Sequence, residues 1–264
     1  MPAVHADLAK RTEPAVATVL NRPGQSKIVL VCEHASHHIP DAYGDLGLTD
    51  AAKLSHAAWD IGAQGLAEHL SADLDAVLVL NTVSRLVYDC NRPPLAADAM
   101  PAQSERITVP GNRDLSPAQK AQRVDTVYTP FHNAVATALQ TVGPDAILVT
   151  IHSFTGVYNG QTRDTEIGLI HDDNSQLAEQ MMQTAYEHSP RPFCLNQPYA
   201  RQHGVTHLLE RHGTQNALMN VMIEVRNDLI DSDDGRRAIS KILTRVLTQS
   251  LTQLGRSDIF RGAR

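Results

Sequence analysis

Five short apolar runs, separated by longer segments with helical spacing, constrain this chain more than any other feature. "KIVLVCEH" from Lys27, "AVLVLN" from Ala76, "AILVTIHS" from Ala146, "EIGLIHD" from Glu166 and "LMNVMIEV" from Leu218 are rich in β-branched residues and lack polar alternation. Strands of that kind are buried on both faces, so the segments between them must cover the sheet. "TDAAKLSHAAWDIGAQGLAEHLSADL" opens on a cap candidate, Thr49, and "LSPAQKAQRVDTVYTPFHNAVATALQTVG" opens on Ser116-Pro117 and stops near Gly143. "NSQLAEQMMQTAYEHS" and the segment from Asp233 to Leu254 supply two more helices. The expected fold is α/β, a single domain with a mixed, mostly parallel central β-sheet and helices on both faces. Ligands in such sheets gather at the carboxyl ends of the strands.

Polar residues stand where those ends fall. The first run delivers Glu33 and His34, the third delivers His152 in "TIHSFTG", and the last delivers Glu224 in "MIEVRND". After the second comes "SRLVYDCNRPP", with Arg85, Asp89, Asn91 and Arg92. Two imidazoles and a carboxylate from different elements suit a catalytic zinc ion, which keeps three protein ligands and an open position for water. Such an ion lowers the pKa of its water to about 7 and polarises a carbonyl. Glu224 is placed to take the water's proton and hand it to a leaving nitrogen. Arginines nearby would stabilise an oxyanion or clamp a substrate carboxylate. Together these residues describe an amidohydrolase.

Each residue also has a plainer reading. A strand-end histidine can be a satisfied structural group, and Glu224 could pair with Arg226 or a loop arginine. An unpaired carboxylate inside an apolar run is nonetheless costly, which favours a function for it. Asp60 in "HAAWDIGAQG" reads as part of an amphipathic helix, where it could bond to a backbone amide or an arginine. His37 and His38 precede the Pro/Gly turn "IPDAYGDLG", where at least one of them reads as solvent-facing, while His132, His171, His188, His203 and His212 read as helix-face or surface histidines.

Composition closes off other classes. The formal charge of -6 offers no basic footprint for nucleic acid. Three widely spaced cysteines without a CxxC pair argue against a disulfide framework and fit a reducing cytoplasm. The N-terminal stretch is broken by Asp7, Lys10, Arg11 and Glu13, unlike a signal peptide, and no run approaches the ~20 apolar residues of a membrane helix. No GxSxG elbow supports a serine hydrolase. Oligomeric state leaves no trace in the sequence.

The combination "CEHASHHIP", "WDIGA", "SRLVYDCNRPP", "PGNRDLS", "YTPFHNA", "IHSFTG", "HGVTHLLERHG" and "NVMIEVRNDLI" resembles the N-formylglutamate amidohydrolase family over about residues 25 to 250, in order. More distantly the arrangement is similar to the zinc carboxypeptidase and aspartoacylase group, which implies a zinc-exopeptidase-like fold. That resemblance assigns His34 and His152 to the metal, Arg85 to the oxyanion, Asn91 with Arg92 to the substrate carboxylate and Glu224 to catalysis. One departure stands out. The wider group takes its carboxylate ligand three residues after the first histidine, where this chain has His37. The family resemblance favours Asp60 as the missing ligand, with Glu33 and His37 as the alternatives. Adjacent strand residues point to opposite faces, so Glu33 and His34 cannot easily meet one ion. His207 and Arg211, four apart in "THLLERHG", would share a helical face and close the pocket over an acidic substrate.

The reading is an N-terminal extension over residues 1–24 followed by a catalytic domain over 25–264. Its expected reaction is metal-dependent hydrolysis of a small acidic N-acyl amino acid, N-formyl-L-glutamate foremost. Zinc is the expected ion, with manganese, iron or cobalt as alternatives. A deacylase or carboxypeptidase-like activity on another acidic metabolite is the second reading, and a non-catalytic dicarboxylate-binding protein the third. Neither nucleic acid nor membrane is an expected partner.

Overall fold

The computed structural model describes residues 15–259 apart from positions 23 and 95. Along the chain, β1 (Ala17–Leu20), β2 (Ile28–Cys32), α1 (Asp50–Lys53), α2 (Ala63–Leu74) and β3 (Val77–Asn81) lead into a long loop carrying the hairpin of β4 (Gln103–Ser104) and β5 (Ile107–Thr108). Next come α3 (Pro117–Arg123), a π-helical turn, α4 (Thr129–Val142), β6 (Ile147–Phe154), a second hairpin of β7 (Val157–Tyr158) and β8 (Gln161–Thr162), and β9 (Ile167–Ile170). The last elements are α5 (Gln176–His188), β10 (Phe193–Leu195), β11 (Met219–Arg226) and α6 (Asp233–Gln253).

Seven strands form the central sheet in the order β1-β3-β2-β6-β11-β9-β10. The inner four, β3, β2, β6 and β11, run parallel. β1 joins one edge antiparallel to β3, and β9 turns antiparallel to β11 at the other. The chain is thus a single-domain α/β protein with a mixed, mostly parallel sheet. The stretch read as an N-terminal extension over 1–24 contributes the edge strand β1, while residues 1–14 of it lie outside the described residues. No helix among the described residues is long and apolar enough to cross a membrane.

The apolar runs divide cleanly between two cores. Ile28, Leu30 and Cys32 of β2 face one side with Leu66 and Leu70 of α2, Met181 of α5 and Leu243 and Leu247 of α6. Val29 and Val31 face the other, against Phe131 and Val135 of α4. The same alternation holds along β6 and β11, where Ile147, Val149, Val221 and Ile223 face the first core and Leu148 and Met222 the second, which explains why their sequences lack polar alternation.

One expected helix is broken. The segment from Thr49 forms α1, capped by the Thr49 hydroxyl accepting from Ala52 N–H, and then loses helical form until α2 begins at Ala63. Asp60 therefore lies in an irregular turn and not inside a helix, correcting the sequence reading. Gly62 closes the irregular stretch as the N-cap of α2. Its φ is +82°, and a Cβ there would stand 2.3 Å from the Ile230 carbonyl oxygen, so the α6-proximal chain and the turn share space that only glycine leaves. Gly62→Ala is expected to cost about 1–3 kcal/mol or more, combining left-handed strain with a backbone clash. A lowered urea midpoint would show it.

Candidate metal centre and active-site cleft

Strand register builds the centre. Val31 of β2 pairs with Thr150 of β6, so Glu33, two residues on, comes level with His152. On the other side Glu224 of β11 is the direct partner of His152. Because side chains alternate, Glu33, His152 and Glu224 follow Val31, Leu148 and Met222 onto the face covered by α4. Three ionisable side chains thus lie in a row at the carboxyl ends of adjacent parallel strands.

The remaining groups arrive on irregular segments fastened by hydrogen bonds. Asp60 N–H donates to the His34 carbonyl (2.9 Å), and Arg85 N–H and the Ser84 hydroxyl both donate to the Ala58 carbonyl (3.2 and 2.8 Å). Ser153 Oγ donates to the Ile61 carbonyl (2.8 Å), and Ser153 N–H to Asp60 Oδ2 (3.2 Å). Asp60 is in this way held between two strand ends.

His34, Asp60 and His152 converge, with one donor atom from each lying within 4.8 Å of the others, and all three residues buried. Nδ1 of His34 stands 3.3 Å and Nδ1 of His152 2.9 Å from the same atom, Asp60 Oδ2. The far nitrogens face carboxylates too: His34 Nε2 is 2.8 Å from Asp89 Oδ1, and His152 Nε2 is 3.1 Å from Glu33 Oε2. A neutral imidazole has one N–H, so a ring between two carboxylates leaves a lone pair facing negative oxygen. A shared cation at Asp60 Oδ2 removes that conflict for both rings at once. The donor set, two imidazoles and a carboxylate in a buried pocket, fits a catalytic metal ion.

Charges follow this geometry. Burial opposes protonation of His34 and His152, but the flanking carboxylates outweigh it and raise both. Burial alone would raise Asp60, yet the two histidines hold it well below the usual carboxylate range. Burial dominates at Glu224 and pushes it up to about 7. Glu224 Oε2 has no hydrogen-bond partner among the described residues. A carboxyl group near neutrality beside a metal pocket is suited to accept and return a proton.

Asp89, quoted in the sequence motif but given no role there, is the hub. Its Oδ1 accepts from His34 and from Asn91 N–H (2.9 Å), and its Oδ2 accepts from Arg85 Nη2 (2.6 Å). Arg85 also reaches Asp60 Oδ1 at 3.4 Å. A cleft of about 300 Å³ opens over the centre, lined among others by Arg85, Asn91, Arg92, Phe154, Tyr199 and Glu224.

A sequence profile of the N-formylglutamate amidohydrolase family matches residues 26–231. The chain belongs to the N-formylglutamate amidohydrolase family. Among solved structures, a gene product of Agrobacterium tumefaciens is 43% identical with a TM-score of 0.89, the match covering 92% of this chain and 97% of that one. An N-formylglutamate amidohydrolase from Ralstonia eutropha JMP134 is 16% identical with a TM-score of 0.67, covering 92% of this chain and all of the other, and shares the fold. No curated protein sequence matches.

The other expected site residues of this N-formylglutamate amidohydrolase family member are placed as follows. Asn91 donates to the Val205 carbonyl and accepts from Leu208 N–H, while Arg92 donates to the Gly204 carbonyl and to Asp98. Both therefore strap the 204–208 turn to the cleft wall. His207 and Arg211 share a helical turn as expected but do not line the cleft; His207 Nε2 meets the Tyr128 hydroxyl at 2.8 Å and Arg211 lies over the Tyr128 ring. His37 is exposed, its ring tilted against that of Trp59 with centroids 5.0 Å apart.

Behind the cleft, sequence reasoning missed a buried histidine pair. His132 Nε2 donates to the Cys90 carbonyl (2.9 Å), so its Nδ1 accepts from His212 Nε2 (2.8 Å). The two are 80 residues apart, and only tertiary structure joins them. Burial, then the neighbouring His212, pushes His132 down to about 2, and burial with Arg211 pushes His212 and His207 down to about 4. The unfolded chain binds protons that this cluster refuses, so its contribution to stability is full above the ordinary value of 6.5 and is lost as pH falls towards 4. Urea midpoints between about pH 7.5 and about pH 4.5 should fall with acid, and His212→Gln should be less stable at neutrality yet flatter across that window.

Proposed function

We propose that this protein hydrolyses the amide bond of a small acidic N-acyl amino acid in a metal-dependent reaction, with N-formyl-L-glutamate and water giving formate and L-glutamate as the leading case. The observation that carries the reading is the convergence of His34, Asp60 and His152 beside a buried Glu224 that has an unpartnered oxygen. Those three residues would hold the ion, and zinc suits their mixed imidazole and carboxylate donors, with manganese, iron or cobalt as the alternatives. Such an ion supplies Lewis acidity and a water of lowered pKa.

The protein's own groups account for the rest. Glu224 accepts the proton of the attacking water as its oxygen bonds to the acyl carbon, then returns that proton to the nitrogen as the carbon–nitrogen bond breaks. Arg85, held by Asp60 and Asp89 and lining the cleft, faces the oxygen that gains charge. Arg92 and Asn91 are assigned to the substrate's α-carboxylate. A reducing cytoplasm fits the free cysteines, two of them buried.

A purified sample stripped of metal and reloaded with zinc should release formate from N-formyl-L-glutamate only after reloading. Equal turnover in both samples would remove the metal from the reaction. With N-acetylglutamate run in parallel, acetate without formate would move the assignment to a different deacylase of the same centre. Glu224→Gln should keep its metal content and lose turnover by at least about 100-fold; metal content measured beside the rate separates this from loss of the site.

A further inference from the structure

We propose that Glu33 is a positioning residue of the metal centre, whose buried carboxylate accepts the Nε2–H of His152 and fixes the tautomer that leaves Nδ1 for the ion. The proposal rests on the metal reading above and gives Glu33 a place outside both the ligand set and the proton transfer.

Register brings the two side chains together. Glu33 directly follows β2 and His152 lies in the adjacent parallel β6; carrying the Val31–Thr150 register on by two residues brings them level on one face. The Glu33 main chain is fixed independently, its carbonyl accepting from Asn81 Nδ2 at 2.9 Å. Its carboxylate is fully buried, and neither oxygen has a hydrogen-bond partner among the described residues. A carboxylate isolated there would carry an uncompensated desolvation cost. The group it approaches is His152 Nε2, at 3.1 Å but without the alignment of a hydrogen bond, so a small turn of the ring completes the contact.

Chemistry then fixes the direction of the proton. When Nδ1 gives its lone pair to an ion, the neutral ring must carry its hydrogen on Nε2, and Glu33 is the carboxylate waiting there. The arrangement repeats at the other histidine, where Asp89 sits 2.8 Å from His34 Nε2. Each ring is thus oriented from behind by a carboxylate while Asp60 stands in front of both. A ligand role for Glu33 is disfavoured because it faces the nitrogen directed away from Asp60 Oδ2, and a role as base because it does not line the cleft.

The test is zinc affinity, measured by competition with a chromophoric chelator on stripped wild type, Glu33→Gln and Glu33→Leu, with cobalt spectra and melting of the metal-free forms alongside. Loss of such an orienting partner weakens metal binding by about 10- to 100-fold, with Gln at the low end because it can still accept the N–H and Leu at the high end. One ion per chain and an unchanged cobalt spectrum should accompany this, while the metal-free Tm holds or rises as a buried charge is removed. Affinity within about twofold of wild type in both variants overturns the proposal, and a lowered metal-free Tm alone would then leave Glu33 a folding role. A cobalt spectrum shifted to a different ligand set overturns it in favour of direct coordination. Wild type that takes up no metal is the separate failure, since it defeats the metal reading itself before any variant is compared.

Discussion

Negative charge buried at the carboxyl ends of the inner parallel strands is the constraint on which the rest of this structure depends. Apolar strands packed on both faces deliver Glu33, His152 and Glu224 side by side, and Asp60 and Asp89 come in from the neighbouring turns. Carboxylates in such a place cannot be left to water, and each must find a proton, an arginine or an ion. Arg85 answers part of that demand by bridging Asp60 and Asp89, and the two imidazoles answer more. His34, Asp60 and His152 are the group that could hold a metal ion there, and such an ion would answer what remains.

Asp89 makes the centre and the cleft wall one mechanical unit. It orients His34 through one oxygen and grips Arg85 through the other, and the next residues, Asn91 and Arg92, hold the 204–208 turn. The carboxylate behind His34, the arginine assigned to the oxyanion and the pair assigned to the substrate carboxylate therefore share one short loop. Displacing it disturbs all three.

Much of this was legible in the sequence, for identifiable reasons. Doubly buried strands show as unbroken apolar runs, so β2, β3, β6, β9 and β11 stood out, and the polar residues ending them located the site. The edge strands β1 and β10 are short and partly exposed, which leaves no run to see. Asp60 reads as helical because the residues around it have helical composition; the irregular turn ends at left-handed Gly62, packed against the Ile230 carbonyl, a contact between segments far apart in sequence. Asp89 sat in a quoted motif, and its spacing of four from Arg85 was a usable signal. Its bond to His34, 55 residues away, was not. The His132–His212 pair was hidden for the same reason, since each histidine alone looks like any helix-face residue.

The two large apolar cores flanking the sheet have a consequence for how an ion would come and go. Small zinc modules fold only when metal arrives, because the metal is their core. Here both cores are built from apolar side chains, with none of His34, Asp60 and His152 among them, and hydrogen bonds from His34, His152 and Ser153 gather around Asp60. An ion held by His34, Asp60 and His152 would then leave those cores in place on departing, so the scaffold would persist through exchange, and supply and donor chemistry would choose the ion.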